Sequence, residues 1–195
     1  MGKGTLIMMH GMTGTSEKME ELAQRLTPDG WSTLCPQAKF RHPTRGGFAW
    51  WLFEEGVSDE ESVSQMEDSL TGILDIIPDG PIIVGGFSQG GAMASALLET
   101  EASSSIVGLV LIATKTARPD ELRVSLPFLK PRPVIWMHGE RDHLVPFDVG
   151  MEHIKIFEES GWPVTRLEHE KGHMVNLNQF EEMREQVQRI ANSQR

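Results

Sequence analysis

The stretch Pro81-Ile82-Ile83-Val84-Gly85-Gly86-Phe87-Ser88-Gln89-Gly90-Gly91 joins a short β-branched run to a cluster of glycines with one serine at its centre. The apolar run predicts a strand, and the amphipathic residues 92–98 that follow predict a helix. A strand, a tight turn and a helix are the context of a nucleophile elbow, in which glycines beside the serine allow a strained turn. Ser88 is therefore predicted at the start of a helix, whose amino end favours negative charge. An ordinary glycine-rich turn with an exposed serine is the alternative.

Composition indicates an ordinary soluble globular protein. The 195 residues suit one domain, predicted to span residues 1–195, and 39% of them are hydrophobic and 24% charged. The net charge of −10 argues against a nucleic-acid partner and an anionic membrane surface. The single Cys35 cannot form an internal disulfide. With no long apolar segment and no signal-peptide core, we expect a cytoplasmic protein without stable membrane association. No feature of the sequence indicates an oligomeric state.

Strand and helix patterns alternate along the whole chain. Strands are predicted at residues 5–9, 31–35, 82–84, 106–113, 134–138 and 164–167, with amphipathic helices between most of them and a last helix after them. Short connections between such elements produce βαβ units and a parallel sheet. We therefore predict an α/β fold with a mostly parallel sheet of about six strands and helices on both faces. The strands at residues 31–35 and 164–167 are expected at its two edges.

Three polar clusters follow predicted strands, besides Ser88. They are residues 10–12, residues 138–146 and residues 170–173. Chemistry in such sheets takes place beyond the carboxyl ends of the strands. A serine hydroxyl needs a base to remove its proton, and an imidazole in turn needs a carboxylate to fix its tautomer. In α/β-hydrolases these residues come in the order serine, acid, histidine, and Ser88, Asp142 and His173 have that order.

Other residues could fill two of these roles. Glu140 and Asp148 flank Asp142, and His169 is a second candidate base, at or inside the last predicted strand. The two N–H groups that must hold the oxyanion have positional candidates in Gln89, directly after the serine, and Met12, in the loop after the first strand.

These motifs resemble the phospholipase/carboxylesterase family of α/β-hydrolases, which includes bacterial carboxylesterases and acyl-protein thioesterases. The likeness lies in the elbow with Gln after Ser, the His-Gly-x-x-Asp-x-x-Val-Pro block at residues 138–146 and the Gly-His loop at residues 172–173, and the His10-Gly11 loop is similar too. The resemblance implies that Ser88 is the nucleophile, Asp142 the orienting acid and His173 the base, with the amides of Met12 and Gln89 as the oxyanion hole. We expect a minimal α/β-hydrolase, because no separate cap domain fits into 195 residues.

Residues 36–56 show no helical or strand period over their first half, although they contain several aromatic and basic side chains. Long irregular segments within compact domains are commonly functional. Phe40, Trp50 and Trp51 are predicted to line an apolar substrate site, with anchoring of the loop to the core as the alternative. Arg41, Arg45 and Arg141 could meet a substrate carboxylate or phosphate, or could be solvated surface charges; the second reading is favoured.

The predicted activity is hydrolysis of carboxylic ester or thioester bonds in small or medium acyl substrates through an acyl-serine intermediate. A lactone hydrolase or acyltransferase on the same residues, or a non-catalytic binding protein, are the alternatives. No histidine pair has the spacing of a metal-binding helix, and no dinucleotide or phosphate-loop motif is present, so neither metal nor cofactor is expected.

Overall fold

A computed structural model describes residues 3–53 and 56–194, and a six-stranded parallel sheet lies at its centre. In chain order the strands are β1 (Thr5–Met9), β2 (Ser32–Leu34), β3 (Phe40–Arg41), β4 (Phe48–Ala49), β5 (Ile82–Phe87), β6 (Ile106–Ile112), β7 (Val134–Gly139) and β8 (Val164–His169). The α-helices are α1 (Ser16–Leu26), α2 (Asp59–Leu74), α3 (Gln89–Ala96), α4 (Pro119–Ser125), α5 (Phe147–Glu159) and α6 (Phe180–Asn192).

The order of strands across the main sheet is β2-β1-β5-β6-β7-β8, and every neighbouring pair is parallel. The predicted parallel sheet is therefore confirmed, as are the two edge strands, β2 and β8. Strand β8 extends to His169, two residues beyond the prediction. The side chain of His169 is consequently part of the sheet rather than of the loop that follows.

Helices cover both faces of the sheet because successive strand residues point to opposite sides. In β1, Ile7 and Met9 belong to the core that α2, α3 and α5 cover, whereas Leu6 and Met8 belong to the core under α1 and α6. The central strands β5, β6 and β7 are buried almost throughout, as expected for parallel strands packed on both faces.

Local signals explain where the first helices begin. Thr15 caps α1 by accepting a hydrogen bond from the Lys18 N–H, and Ser58 caps α2 by accepting one from the Glu61 N–H. Helix α2 runs for 16 residues and ends at Leu74.

Two segments without a clear strand or helix period contain short regular elements. Strands β3 and β4 pair as a small antiparallel ribbon within residues 36–56, of which residues 54 and 55 lie outside the described part of the chain. Helix α4 lies within residues 114–133. Strands of two residues and a helix of seven are too short to give a detectable period.

The glycines of the elbow are required by close packing. A Cβ atom at Gly86 would lie 2.4 Å from the carbonyl carbon of Gly90, and one at Gly90 would lie 2.2 Å from the carbonyl oxygen of Met9. The first turn of α3 therefore packs directly against the ends of β1 and β5, and no larger residue fits between them.

We expect Gly90→Ala to lower the free energy of unfolding by roughly 1–3 kcal/mol, since the added methyl group must displace backbone. The matched control is Gly72→Ala, in an exposed part of α2 where a Cβ meets nothing within 4 Å, and it should raise stability by roughly 0.5–1 kcal/mol. Urea denaturation measures both. Equal stability of Gly90→Ala and the wild type would contradict this account of the elbow.

Candidate active site

Ser88 sits between β5 and α3 in a strained backbone conformation, with φ 53° and ψ −119°. Its N–H donates to the Ile112 carbonyl at 2.8 Å, and its carbonyl accepts from Thr114 Oγ1 at 2.6 Å. Both partners lie at the end of β6. The predicted strand–turn–helix context is therefore present, and the neighbouring strand holds the serine backbone on both sides.

Positive φ angles concentrate around this turn. Within the described residues, Thr13, Ser88 and Ala113 are the non-glycine residues with positive φ, and they follow β1, β5 and β6 at the carboxyl end of the parallel sheet. Such conformations cost of order 1–3 kcal/mol each and are typical of functional sites.

Asp142 and His173 are joined by a hydrogen bond, in which His173 Nδ1 donates to Asp142 Oδ2 at 2.7 Å. The other carboxylate oxygen, Oδ1, accepts from the N–H groups of Leu144 and Val145, both at 2.9 Å. The Asp142 side chain is fully buried, whereas the His173 ring is partly exposed. These contacts fix the position of the carboxylate. The carboxylate in turn keeps the proton of the neutral His173 ring on Nδ1, so that Nε2 is the nitrogen that can accept a proton.

The His173 ring lies beside the elbow, with its centroid 4.8 Å from that of Phe87, the residue before the serine. Among the described residues, no hydrogen bond joins Ser88 Oγ to His173 Nε2. Such bonds are often long without a substrate and tighten in the complex.

The other candidates are placed differently. His169 lies in β8, and its Nδ1 accepts from the Lys171 N–H at 3.3 Å, while burial lowers its pKa. Glu140 and Asp148 are exposed and make no recorded contact with His173. The structure thus brings Asp142, and not its two neighbours, to His173.

Met12 lies in the loop after β1, and Gln89 directly follows the serine. A Cβ at Gly11 would lie 3.3 Å from Ser88 Cβ, so the loop that carries Met12 touches the elbow. Within the described part of the chain, neither the Met12 N–H nor the Gln89 N–H has a recorded acceptor. Two free backbone donors beside a serine are what an oxyanion hole requires.

Buried histidines surround the candidate site. His138 Nε2 donates to the Val145 carbonyl at 2.9 Å and lies 3.5 Å from Asp142 Oδ2. His153 Nε2 lies 3.0 Å from Ser95 Oγ on α3. Burial lowers the pKa of His10 and His138, and lowers that of His153 to about 3. These three rings are therefore neutral near pH 7.

The aromatic residues predicted to bind substrate differ in exposure. Phe40, in β3, and Trp51 are partly buried, but Trp50 is only 2% exposed. Its indole Nε1 donates to the His10 carbonyl at 2.8 Å. Trp50 is consequently part of the core, which favours the alternative that it anchors the loop, and its role in substrate binding stays a prediction. The three arginines Arg41, Arg45 and Arg141 are exposed.

Sequence reasoning missed the hydroxyl of Thr114 and the carboxamide of Gln89. Thr114 is fully buried and supports the Ser88 carbonyl, and the only sequence signal was a polar residue directly after a long apolar strand. Gln89 was singled out for its backbone N–H, yet its side chain bonds to the backbones of Trp50 and Trp51.

Among the described residues, no group of three or more His, Cys, Asp or Glu side chains is placed to hold a metal ion. In the same part of the chain, no helix has the length and apolar character needed to cross a membrane.

Comparisons with known proteins indicate a family of hydrolases. The model of the FSH1 serine hydrolase family matches residues 2–183. The acyl-protein thioesterase 1 homolog 1 of Dictyostelium discoideum is 26% identical over 172 residues, which are 77% of this chain and 75% of that protein. The resemblance to carboxylesterases and thioesterases found in the sequence is thus confirmed.

Solved structures share the fold at low identity. The Bacillus cereus carboxylesterase has a TM-score of 0.75 at 19% identity, over 97% of this chain and 91% of that one. Zea mays acyl-protein thioesterase 2 has a TM-score of 0.73 at 19% identity, over 97% and 94% of the two chains. The predicted α/β-hydrolase fold is therefore confirmed.

The buried histidines predict acid sensitivity. Because His153 has a pKa of about 3 when folded against an ordinary value of 6.5, the unfolded chain binds its proton first as the pH falls. The contribution of the neutral His153 ring to the free energy of unfolding is fully present above pH 6.5 and is lost as the pH falls below that value. At pH 5 the loss from this residue alone is roughly 2 kcal/mol.

In His153→Gln, the free energy of unfolding should therefore fall less between about pH 8 and pH 5 than in the wild type. Urea titrations at both pH values measure this, with His143→Gln, at an exposed position, as the matched control. An unchanged pH dependence in His153→Gln would show that the ring is charged in the folded protein.

Proposed function

The chain belongs to the FSH1 family of serine hydrolases, and we propose that it cleaves carboxylic ester or thioester bonds with Ser88, Asp142 and His173 as its catalytic triad. The hydrogen bond from His173 Nδ1 to Asp142 Oδ2, beside the strained Ser88 turn, is the observation that carries this proposal. The carboxylesterase and thioesterase relatives support the same class of substrate. The proposal includes a single domain over residues 1–195, without a separate cap, acting in the cytoplasm.

The first half of the reaction acylates the serine. His173 Nε2 takes the proton of Ser88 Oγ as the oxygen attacks the substrate carbonyl carbon, and the carbonyl oxygen becomes an oxyanion. The N–H groups of Met12 and Gln89 stabilise this charge, aided by the amino end of α3. The bond to the leaving group then breaks, and His173 gives its proton to the departing alcohol or thiol.

The second half uses water in the same geometry. His173 takes a proton from water, whose oxygen attacks the acyl carbon to form a second oxyanion. As this intermediate collapses, the bond between the acyl carbon and Ser88 Oγ breaks, His173 gives its proton to Ser88 Oγ, and the carboxylic acid leaves. Asp142 stays ionised throughout and stabilises the imidazolium. Its second oxygen accepts two backbone hydrogen bonds, so the carboxylate cannot rotate away from His173.

Apolar side chains at the site favour acyl groups of small or medium length. Leu144, two residues after Asp142, is 75% exposed, and Met174, directly after His173, is 45% exposed. The Trp51 carbonyl accepts a hydrogen bond from Gln89, so the backbone of Trp51 lies near the elbow. Exposed apolar side chains around a polar reaction centre are typical of sites that accept an acyl chain.

Replacing the triad residues should abolish turnover without unfolding the protein. With p-nitrophenyl esters we expect Ser88→Ala to lose at least about 10³-fold in kcat, and Asp142→Asn about 10⁴-fold because the wrong imidazole tautomer forms. The matched control is Asp148→Asn, an exposed carboxylate on α5, which should retain wild-type turnover.

A fluorophosphonate probe with mass spectrometry provides an independent measurement. The label should be found on Ser88 in the wild type and be absent from Ser88→Ala. Equal activity of the wild type and Ser88→Ala would refute the nucleophile assignment.

Trp51→Ala tests the acyl site separately from the triad. The truncation leaves the Trp51 carbonyl bonded to Gln89, so only the ring is lost. We expect kcat/KM for an octanoate ester to fall about tenfold relative to that for an acetate ester, since lost apolar contact is worth about 1–3 kcal/mol. A uniform fall for both esters would argue that the ring does not contact the acyl chain.

A further inference from the structure

Trp50 connects the two loops that carry the proposed oxyanion donors. Its backbone N–H bonds to Gln89, and its indole N–H bonds to the His10 carbonyl. We propose that Trp50 is a positioning residue that sets the distance between the N–H groups of Met12 and Gln89. This inference rests on the proposed function, because it concerns the same oxyanion hole.

The main sheet does not set that distance by itself. Pairing between β1 and β5 ends at Met9 and Gly86. Met12 and Gln89 each come three residues after this last pair. The donors therefore lie beyond the ladder of backbone hydrogen bonds, and other contacts must hold them at their spacing.

One end of the connection is the side chain of Gln89. Its Oε1 accepts from the Trp50 N–H at 2.8 Å, and its Nε2 donates to the Trp51 carbonyl at 2.7 Å. Both polar atoms of the carboxamide are thus used, and Gln89 is only 6% exposed. The residue that offers its backbone N–H to the oxyanion is consequently fixed by its own side chain to Trp50.

The other end is the indole ring. Trp50 Nε1 donates to the carbonyl of His10, which lies two residues before Met12, at 2.8 Å. The rings of Trp50 and His10 also pack against each other, with their centroids 5.3 Å apart. His10 is itself fixed, since its Nε2 accepts from the Ala38 N–H at 3.1 Å. The Trp50 carbonyl accepts from Ser69 Oγ on α2 at 2.6 Å, which anchors Trp50 to the core.

Strand β4, which directly precedes Trp50, bonds to the two residues that follow Met12. The Thr13 N–H donates to the Phe48 carbonyl at 2.8 Å, and the Phe48 N–H donates to the Gly14 carbonyl at 3.0 Å. Residues 48–50 therefore contact the Met12 loop both before and after Met12. A small displacement of one donor is sufficient to lose much of the stabilisation of an oxyanion, because the hydrogen bonds require fixed geometry.

Trp50→Phe removes the indole N–H and retains both backbone bonds of the residue. We expect kcat per active site to fall about 10- to 100-fold with KM within about threefold, because the oxyanion forms only after substrate binds. The inhibition constant of an alkyl boronic acid, which forms a tetrahedral adduct on the serine, should weaken by a similar factor. Active sites are counted by fluorophosphonate titration, so unfolded protein does not lower kcat.

The matched control is Trp162→Phe. Trp162 is also 2% exposed, but within the described residues its indole Nε1 has no acceptor. The same loss of ring volume should leave kcat per active site and boronate inhibition at wild-type values. If Trp50→Phe and Trp162→Phe behave alike, the proposal is overturned.

Gln89→Met cuts the other end of the connection and keeps the Gln89 backbone N–H. It should lower kcat and weaken boronate inhibition as Trp50→Phe does, and it carries the test if Trp50→Phe does not fold. The Gln89–Trp50 bond and the Trp50–His10 bond act in series. The double variant of Trp50→Phe and Gln89→Met should therefore lose little more kcat than the worse single variant, whereas additive losses of kcat would refute a shared connection. A wild type that shows neither turnover nor labelling of Ser88 would instead overturn the proposed function.

Discussion

The strained backbone of Ser88 is the constraint on which the rest of the site depends. A non-glycine residue with φ 53° is held there only because stronger contacts compensate for the strain. The Ile112 carbonyl and the Thr114 hydroxyl bond to the two sides of its peptide backbone, and the glycines before and after it allow α3 to approach β1 and β5. Ser88 is thereby held at the carboxyl end of the strands, where the other polar loops also begin.

The sequence was sufficient to predict the parallel sheet and its edges, and it singled out Ser88, Asp142 and His173, of which the last two are joined by a hydrogen bond in the structure. Those features depend on local patterns: β-branched runs, helical periods, and polar residues directly after strands. The function of residues 36–51 could not be read in the same way. Several of its contacts with the site use only backbone amides and carbonyls, such as the bond between the Thr13 N–H and the Phe48 carbonyl, and any residue can make these. The bond from the Trp50 indole to the His10 carbonyl does need a tryptophan, but composition indicates an aromatic side chain and not the direction in which it points.

Neutral histidines around the site limit where charge can accumulate. His10, His138 and His153 are buried, and each has a lowered pKa, so that none competes with His173 for the Asp142 carboxylate as a cation. His138 lies 3.5 Å from that carboxylate but donates its Nε2 proton to the Val145 carbonyl at 2.9 Å. The buried histidines thus act as neutral packing groups, and the partly exposed His173 remains as the proposed base.

The bonds from β6 to the elbow also have a consequence for the order of assembly. Ile112 and Thr114 follow Ser88 by more than twenty residues, so the strained turn cannot be held until β6 has paired with β5. During synthesis and refolding, the serine should therefore remain an ordinary, unreactive hydroxyl until the centre of the sheet is complete. The rate at which Ser88 becomes reactive towards an electrophilic probe should then report the rate at which the sheet forms, and a partly folded chain should not react.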